Sequence, residues 1–196
     1  MAECLSSIDL GVQASCLAIK KVGGLDKRIY LGAIGDLASV TITAGATNII
    51  TAFTFVATKG FVKMIGRKEK NSAGSDIETG ENVNVRNQNV NLAIYYETGI
   101  DLAAIDAIID NEALFAVVET NPGVLEVFGI NKVNFDSYGL KVSANPGTSG
   151  LLLNDATAFQ MVLSGGLTNL QLLYNPSVAL ATNIAALDAQ TIHPAP

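Results

Sequence analysis

Charge is scarce in this sequence. Only 15% of its 196 residues are Asp, Glu, Lys or Arg, against about 25% in an average soluble chain. Tryptophan is absent, histidine occurs once and cysteine twice. Each shortage excludes something. The single His193 lies in the terminal IHPAP, where chains fray, so Ser-His-Asp and Cys-His catalytic arrangements have no base to use. Cys4 and Cys16 with one histidine cannot make a four-ligand zinc site. They read as two free thiols or as a disulfide closing an N-terminal loop. Neither GxxxxGK[ST] nor GxGxxG occurs, which removes the standard nucleotide cradles. A net charge of −6 and a pI near 4.7 argue against a sequence-reading DNA binder, which needs a basic patch. The start MAECLSSIDL lacks the basic residues and apolar run of a signal peptide. No catalytic, cofactor-binding or metal residue stands out, and the expectation is a protein that is not an enzyme.

What the chain does have is apolar residues, 49% of the total. A membrane span is the first explanation to test. Leu37–Thr58 carries no charge, but its apolar residues are interleaved with threonines. Val40-Thr41-Ile42-Thr43 and residues 51–57 alternate at period two, as half-buried strands do. A membrane barrel would need aromatic girdles, and aromatics make up only 6%. A large oligomer is then the leading explanation for a chain too poor in charge to cover a monomer surface.

The pattern is mainly β. Strands are expected at Arg28–Ile34, Ala38–Thr43, Ala158–Ser164 and Gln171–Tyr174, with another over Lys132–Val142. Phe53–Ala57 and Phe61–Ile65 read as a hairpin. So do Leu114–Glu119 and Val124–Ile130, across Asn121-Pro122-Gly123. The polar run Arg67–Gly80 reads as a solvated loop or a long hairpin. In Asn82–Tyr96 the apolar parity changes between Val85 and Val90, which suggests a bulge or a change of partner. One face of that strand is nearly all Asn. A helix fits after Thr98, with Leu102, Ile105, Ile108 and Ile109 at helical spacing and Asp101, Asp106 and Asp110 opposite. Val178–Leu187 reads as a strand or a short helix. The organisation is one domain, 1–196, with an irregular N-terminal segment 1–25 and an extended C-terminal tail 176–196.

Charge is unevenly placed. All twelve Lys and Arg lie at or before Lys141, and beyond it only Asp155 and Asp188 are charged. From Asn87 to Asn131 there are seven acidic residues and no basic one. The cation-free C-terminal third suits burial between protein subunits. Within it, SANPGTSGLLLNDATAFQMVLSGG joins an uncharged, Gly-punctuated loop to a strand. Asn145, Gly147, Gly150, Leu151, Leu152, Leu153 and Asp155 are the expected subunit-contact residues.

Several pieces in order resemble bacteriophage tail tube (major tail) proteins. They are Cys4, Cys16 and Gly23-Gly24 before RIYLGAI, then NVNVRNQNVNLAIYY before IDLAAIDAIIDNE, then LFAVVETNPGVLEVFGINKV and YGLKVSANPGTSGLLLNDATAFQMVLSGG. The resemblance covers roughly residues 1–175, and its motifs are structural. It implies a small β-sandwich or barrel with one packed α-helix, assembling into rings that stack as a hollow tube. DNA would pass through unread, and the protein would belong to the virion tail after assembly in the host cytoplasm. The implied partners are other copies of the chain and tape-measure, tail terminator and baseplate proteins, with no membrane. Glu119 and Glu126 are the expected lumen carboxylates, because a cation-poor lumen gives phosphates nothing to release counterions against. The competing reading is another self-assembling virion or surface module, such as a head decoration protein or a pilus-like subunit.

Overall fold

The computed structural model describes residues 25–43, 48–65, 71–79, 84–94, 105–136, 138–144, 147–148 and 158–193. Strand β1 (Leu25–Ala33) opens the described chain, with Ile29 and Leu31 buried on one face and Tyr30 on the other. A strand covered on both faces reads as a near-continuous apolar run. RIYLGAI is such a run because β1 lies inside the larger of two sheets. Around it come β2 (Leu37–Ile42), β3 (Ile49–Phe55), β4 (Phe61–Ile65), β7 (Leu114–Thr120), β8 (Leu125–Phe128), β12 (Leu172–Tyr174) and β13 (Thr191–His193). Their order is β13-β4-β1-β7-β8-β12-β3-β2. The smaller sheet takes β5 (Ser72–Thr79), β6 (Asn84–Ile94), β9 (Lys141–Ala144), β10 (Gly147–Thr148) and β11 (Ala158–Leu167). Its order is β10-β11-β6-β5, with β9 also on β11. Helix α1 covers residues 105–109 and α2 is Leu180–Asp188.

The larger sheet curls on itself. Four strands separate β3 from β4 in ladder order, yet the rings of Phe55 and Phe61 stand 4.8 Å apart. Phe53, Phe115, Tyr30 and Tyr174 join them inside the curl, and Leu180, Ile184 and Leu187 of α2 pack against this cluster. The Phe115 ring lies over Gly32, its cross-strand partner on β1, where any Cβ would strike the ring. The other face of the sheet meets the smaller one. There Ile29, Leu31, Met64, Ala116, Val118 and Phe128 pack on Val90, Leu92, Met161 and Leu163, and α1 adds Ile105 and Ile108. Each fully buried large apolar side chain stabilises by about 1.5–3 kcal/mol.

Several expectations hold. β7 and β8 form the hairpin across Asn121-Pro122-Gly123, with Gly123 at φ 85°. Arg67–Gly80 yields β5, the first arm of a long hairpin with β6. Ile105 and Ile108 are buried while Asp106 and Asp110 are exposed. Thr98, Asp101 and Leu102 lie outside the described residues, as do Cys4 and Cys16.

Others are corrected. Phe53–Ala57 and Phe61–Ile65 do not pair. β3 bonds to β2 and β12, and β4 bonds to β1 and β13, so neither has an edge left for the other. The expected bulge in β6 is absent, because its register with β11 and β5 runs without a shift. The parity change has another cause: Gln88 occupies an inward position and Val85 an outward, exposed one. Lys132–Val142 is strand only from Lys141; the segment before it is tied by Asn131 and Asn169 side chains to backbone amides. Of the two readings of Val178–Leu187, strand or short helix, the helix is the one observed, as α2.

Candidate functional site

The face of the smaller sheet turned away from the core is largely polar among the described residues. Val90 and Leu92 on β6 point inward, so Asn87, Asn89 and Asn91 point outward by alternation. Across the ladder Asn87 stands between Asp76 and Gly166, Asn89 between Gly74 and Ser164, and Asn91 between Ser72 and Val162. Asn87 Nδ2 donates to Glu78 Oε2 at 2.9 Å, and Asn91 Nδ2 donates to Ser72 Oγ at 2.9 Å. Asp76 and Glu78 are exposed at the β5 margin. Arg86 points the opposite way, donating to the Thr168 carbonyl at 2.9 Å. Among the described residues Lys141, on β9 at the far margin, is the one basic side chain of this face.

β5 is an open edge of the smaller sheet, as β2 and β13 are of the larger one among the described residues. It pairs with β6 over eight residues and has no neighbour on its other side among the described residues. It contains no proline, and Ile77 is 60% exposed on it. Such an edge presents a row of unpaired backbone groups that another strand can take up.

The two sheets are locked together by buried polar contacts. Gln88, fully buried, accepts from Gly129 N–H at 2.8 Å and donates to the Asn169 carbonyl at 3.0 Å. Gly129 has φ 91°, and a side chain there would meet the Leu114 carbonyl. A second lock holds α2. Asp188 accepts from Tyr30 Oη at 2.8 Å and from Lys63 Nζ at 2.7 Å. Burial opposes the charged Asp188 carboxylate, but the hydrogen bonds of Lys63 and Tyr30 and the charges of Lys63 and Arg28 outweigh it, so its pKa lies below the ordinary value. Burial, and then the bond to Asp188, push the Tyr30 hydroxyl up.

The sequence-derived candidates scatter. Glu119 was expected as an exposed lumen carboxylate; it is buried and accepts from Arg28 Nη1 at 2.6 Å. The strand-end position misled, because the β1 neighbour brings Arg28 over it. Glu126 lies on the same hairpin, between Val118 and Leu173 in the ladder. It is half-buried, and burial raises its carboxyl pKa above the usual range. Gly147 forms β10 opposite Phe159. Asn145, Gly150, Leu151, Leu152, Leu153 and Asp155 lie outside the described residues. The structure thus adds Asp76, Glu78, Asn89 and Ser164 to the candidates. The Asn alternation in β6 signalled this face, whereas nothing in the SAGSDIET run marked β5 as an edge.

No protein family, curated protein or solved structure matches the chain. The fold and this face define it as a mainly β, two-sheet protein, and further identification rests on the surface itself.

Proposed function

We propose that the protein is a virion structural subunit that joins copies of itself into rings, stacked as a hollow phage tail tube with the outer face of the smaller sheet turned to the lumen. The open β5 edge beside a wide polar face carries this reading. Strand-to-strand closure around a ring satisfies the free edge, with the β5 edge of one copy beside the β9 margin of the next. The face within the ring is mostly Asn, Ser, Gly, Asp and Glu, with Val162 among them and Lys141 at its margin. It hydrates well and gives a passing DNA backbone almost no cation to bind. The tail tube resemblance supports the same direction, and so does the shortage of surface charge.

Negative-stain imaging of the purified protein over a rising concentration series tests this. Rings or tubes with a central hole are expected. Solid fibres or closed shells would turn the reading to another self-assembling module, and isolated single particles would remove it.

A further inference from the structure

Two ends of the molecule, marked by the ends of β7, carry opposite and unsatisfied chemistry. At the Thr120 end the turn presents Val124, 41% exposed, and the segment before α2 presents Val178, fully exposed. The two segments meet there, since Gly123 lies against Leu180, and Thr120 N–H donates to the Val124 carbonyl at 2.8 Å. Beside them lies Glu126, flanked by Val118 and by Leu173, which is itself 36% exposed. This carboxylate has lost much of its water and has no hydrogen-bond or ion-pair partner among the described residues.

At the Leu114 end, Leu114 and Leu140 exchange both backbone hydrogen bonds, at 2.8 and 2.7 Å. The chain entering and leaving that bridge presents Val133, 89% exposed, Tyr138, 55% exposed, and Lys141. The other basic side chains described are occupied: Arg28 by Glu119, Lys59 by Asp36, Lys63 by Asp188, Arg86 by the Thr168 carbonyl and Lys132 by Asn48. Lys141 has no partner among the described residues. Glu112 and Asp136 are exposed at this end too, so the pairing is assigned to Lys141 and not to net charge.

We infer that these ends are the two halves of a head-to-tail contact between copies of this chain, with Val124 and Val178 of one copy against Val133 and Tyr138 of the next, and Glu126 paired with Lys141. The occupant is a second copy because the chain itself supplies both the orphan anion in an apolar setting and the orphan cation beside apolar side chains. A contact between different patches repeats without closing on itself, so it lengthens an assembly along the β7 direction. Pairing with Lys141 would also restore the charged form of Glu126 that burial disfavours. This rests on the self-assembly reading and names the axial surface for it.

The experiment is sedimentation velocity, with imaging, of the wild type, E126K, K141E, the double reversal E126K/K141E and V133S/V178S. Each single reversal should raise the concentration needed for stacking about tenfold or more, and the double reversal should bring it back towards the wild type. V133S/V178S changes exposed side chains only, so it should keep its melting temperature while stacking less. A wild type that stays at 20.4 kDa throughout would overturn the assembly reading itself. A wild type that stacks, with both single reversals stacking equally well, would overturn this contact alone. Single reversals that fail and are not rescued by the double reversal would overturn the Glu126–Lys141 pairing.

Discussion

β7 reads LFAVVET and buries its first six side chains, while β6 reads NVRNQNVNLAI and buries Gln88, Val90, Leu92 and Ala93 with Asn87, Asn89 and Asn91 outside. The contrast holds for the sheets they belong to. The larger one buries both faces through much of its width, against an aromatic cluster and α2 on one side and the smaller sheet on the other. The smaller one buries mainly one face and keeps the other largely polar. A fully covered sheet spends its side chains on stability. A half-covered sheet has a face left over, and in this chain that face is where an interaction is best sought.

If the contrast is right, substitutions in the two sheets should differ in kind. The largest loss is expected for Phe115→Ala, which empties the centre of the aromatic cluster at a position with no exposure. Thermal or denaturant unfolding should show a loss of about 3–5 kcal/mol.

Glu119→Ala comes next. It leaves the Arg28 guanidinium without its carboxylate in a part-buried setting, and chemical denaturation should report about 1–3 kcal/mol. A lysine at 119 would be worse still, facing Arg28 directly. A loss within error would mean that the pair is solvated after all.

The Asp188 lock is smaller and depends on pH. Its folded pKa is depressed, so its contribution is present above the ordinary carboxylate range and fades as pH falls through the lower folded value. Protection factors of the α2 amides should therefore fall on acidification below that range while those of β7 hold. Asp188→Asn should show quickened α2 exchange already at neutral pH and remove most of the pH response.

The smallest effect is expected for Asn89→Ala on the outer face of the smaller sheet. Stability should change by less than about 0.5 kcal/mol, measured by the same unfolding curves. A loss comparable to that at Glu119 would break the division between a stabilising sheet and a displaying one.

Much of this division could be read from the chain. Period-two alternation revealed the strands, and Asn121-Pro122-Gly123 revealed the β7–β8 turn. The Asn run disclosed a strand with one wet face. Pairing was harder, because it is set by tertiary neighbours. β4 sits beside β1 and β13, distant in sequence, although its nearest strand in the chain, β3, looks like a hairpin mate. Gln88 broke the parity rule, since a polar residue can hold an inward position when a backbone amide after β8 and a carbonyl before β12 satisfy it. Glu119 failed for the same reason: nothing local in VVETNPG tells of Arg28, 91 residues earlier. α2 was only half-legible, as LATNIAALD has no side-chain N-cap and no acidic residue in its first turn.

The most direct test of the displaying sheet is amide hydrogen exchange at residues 72–79 in dilute and in assembled protein, with β7 as the internal reference. The account predicts that β5 amides exchange readily in the dilute chain and become protected on assembly, while β7 is protected in both. Assembly that leaves β5 exchanging as before would contradict it, because the open edge would then not be the surface that joins the copies.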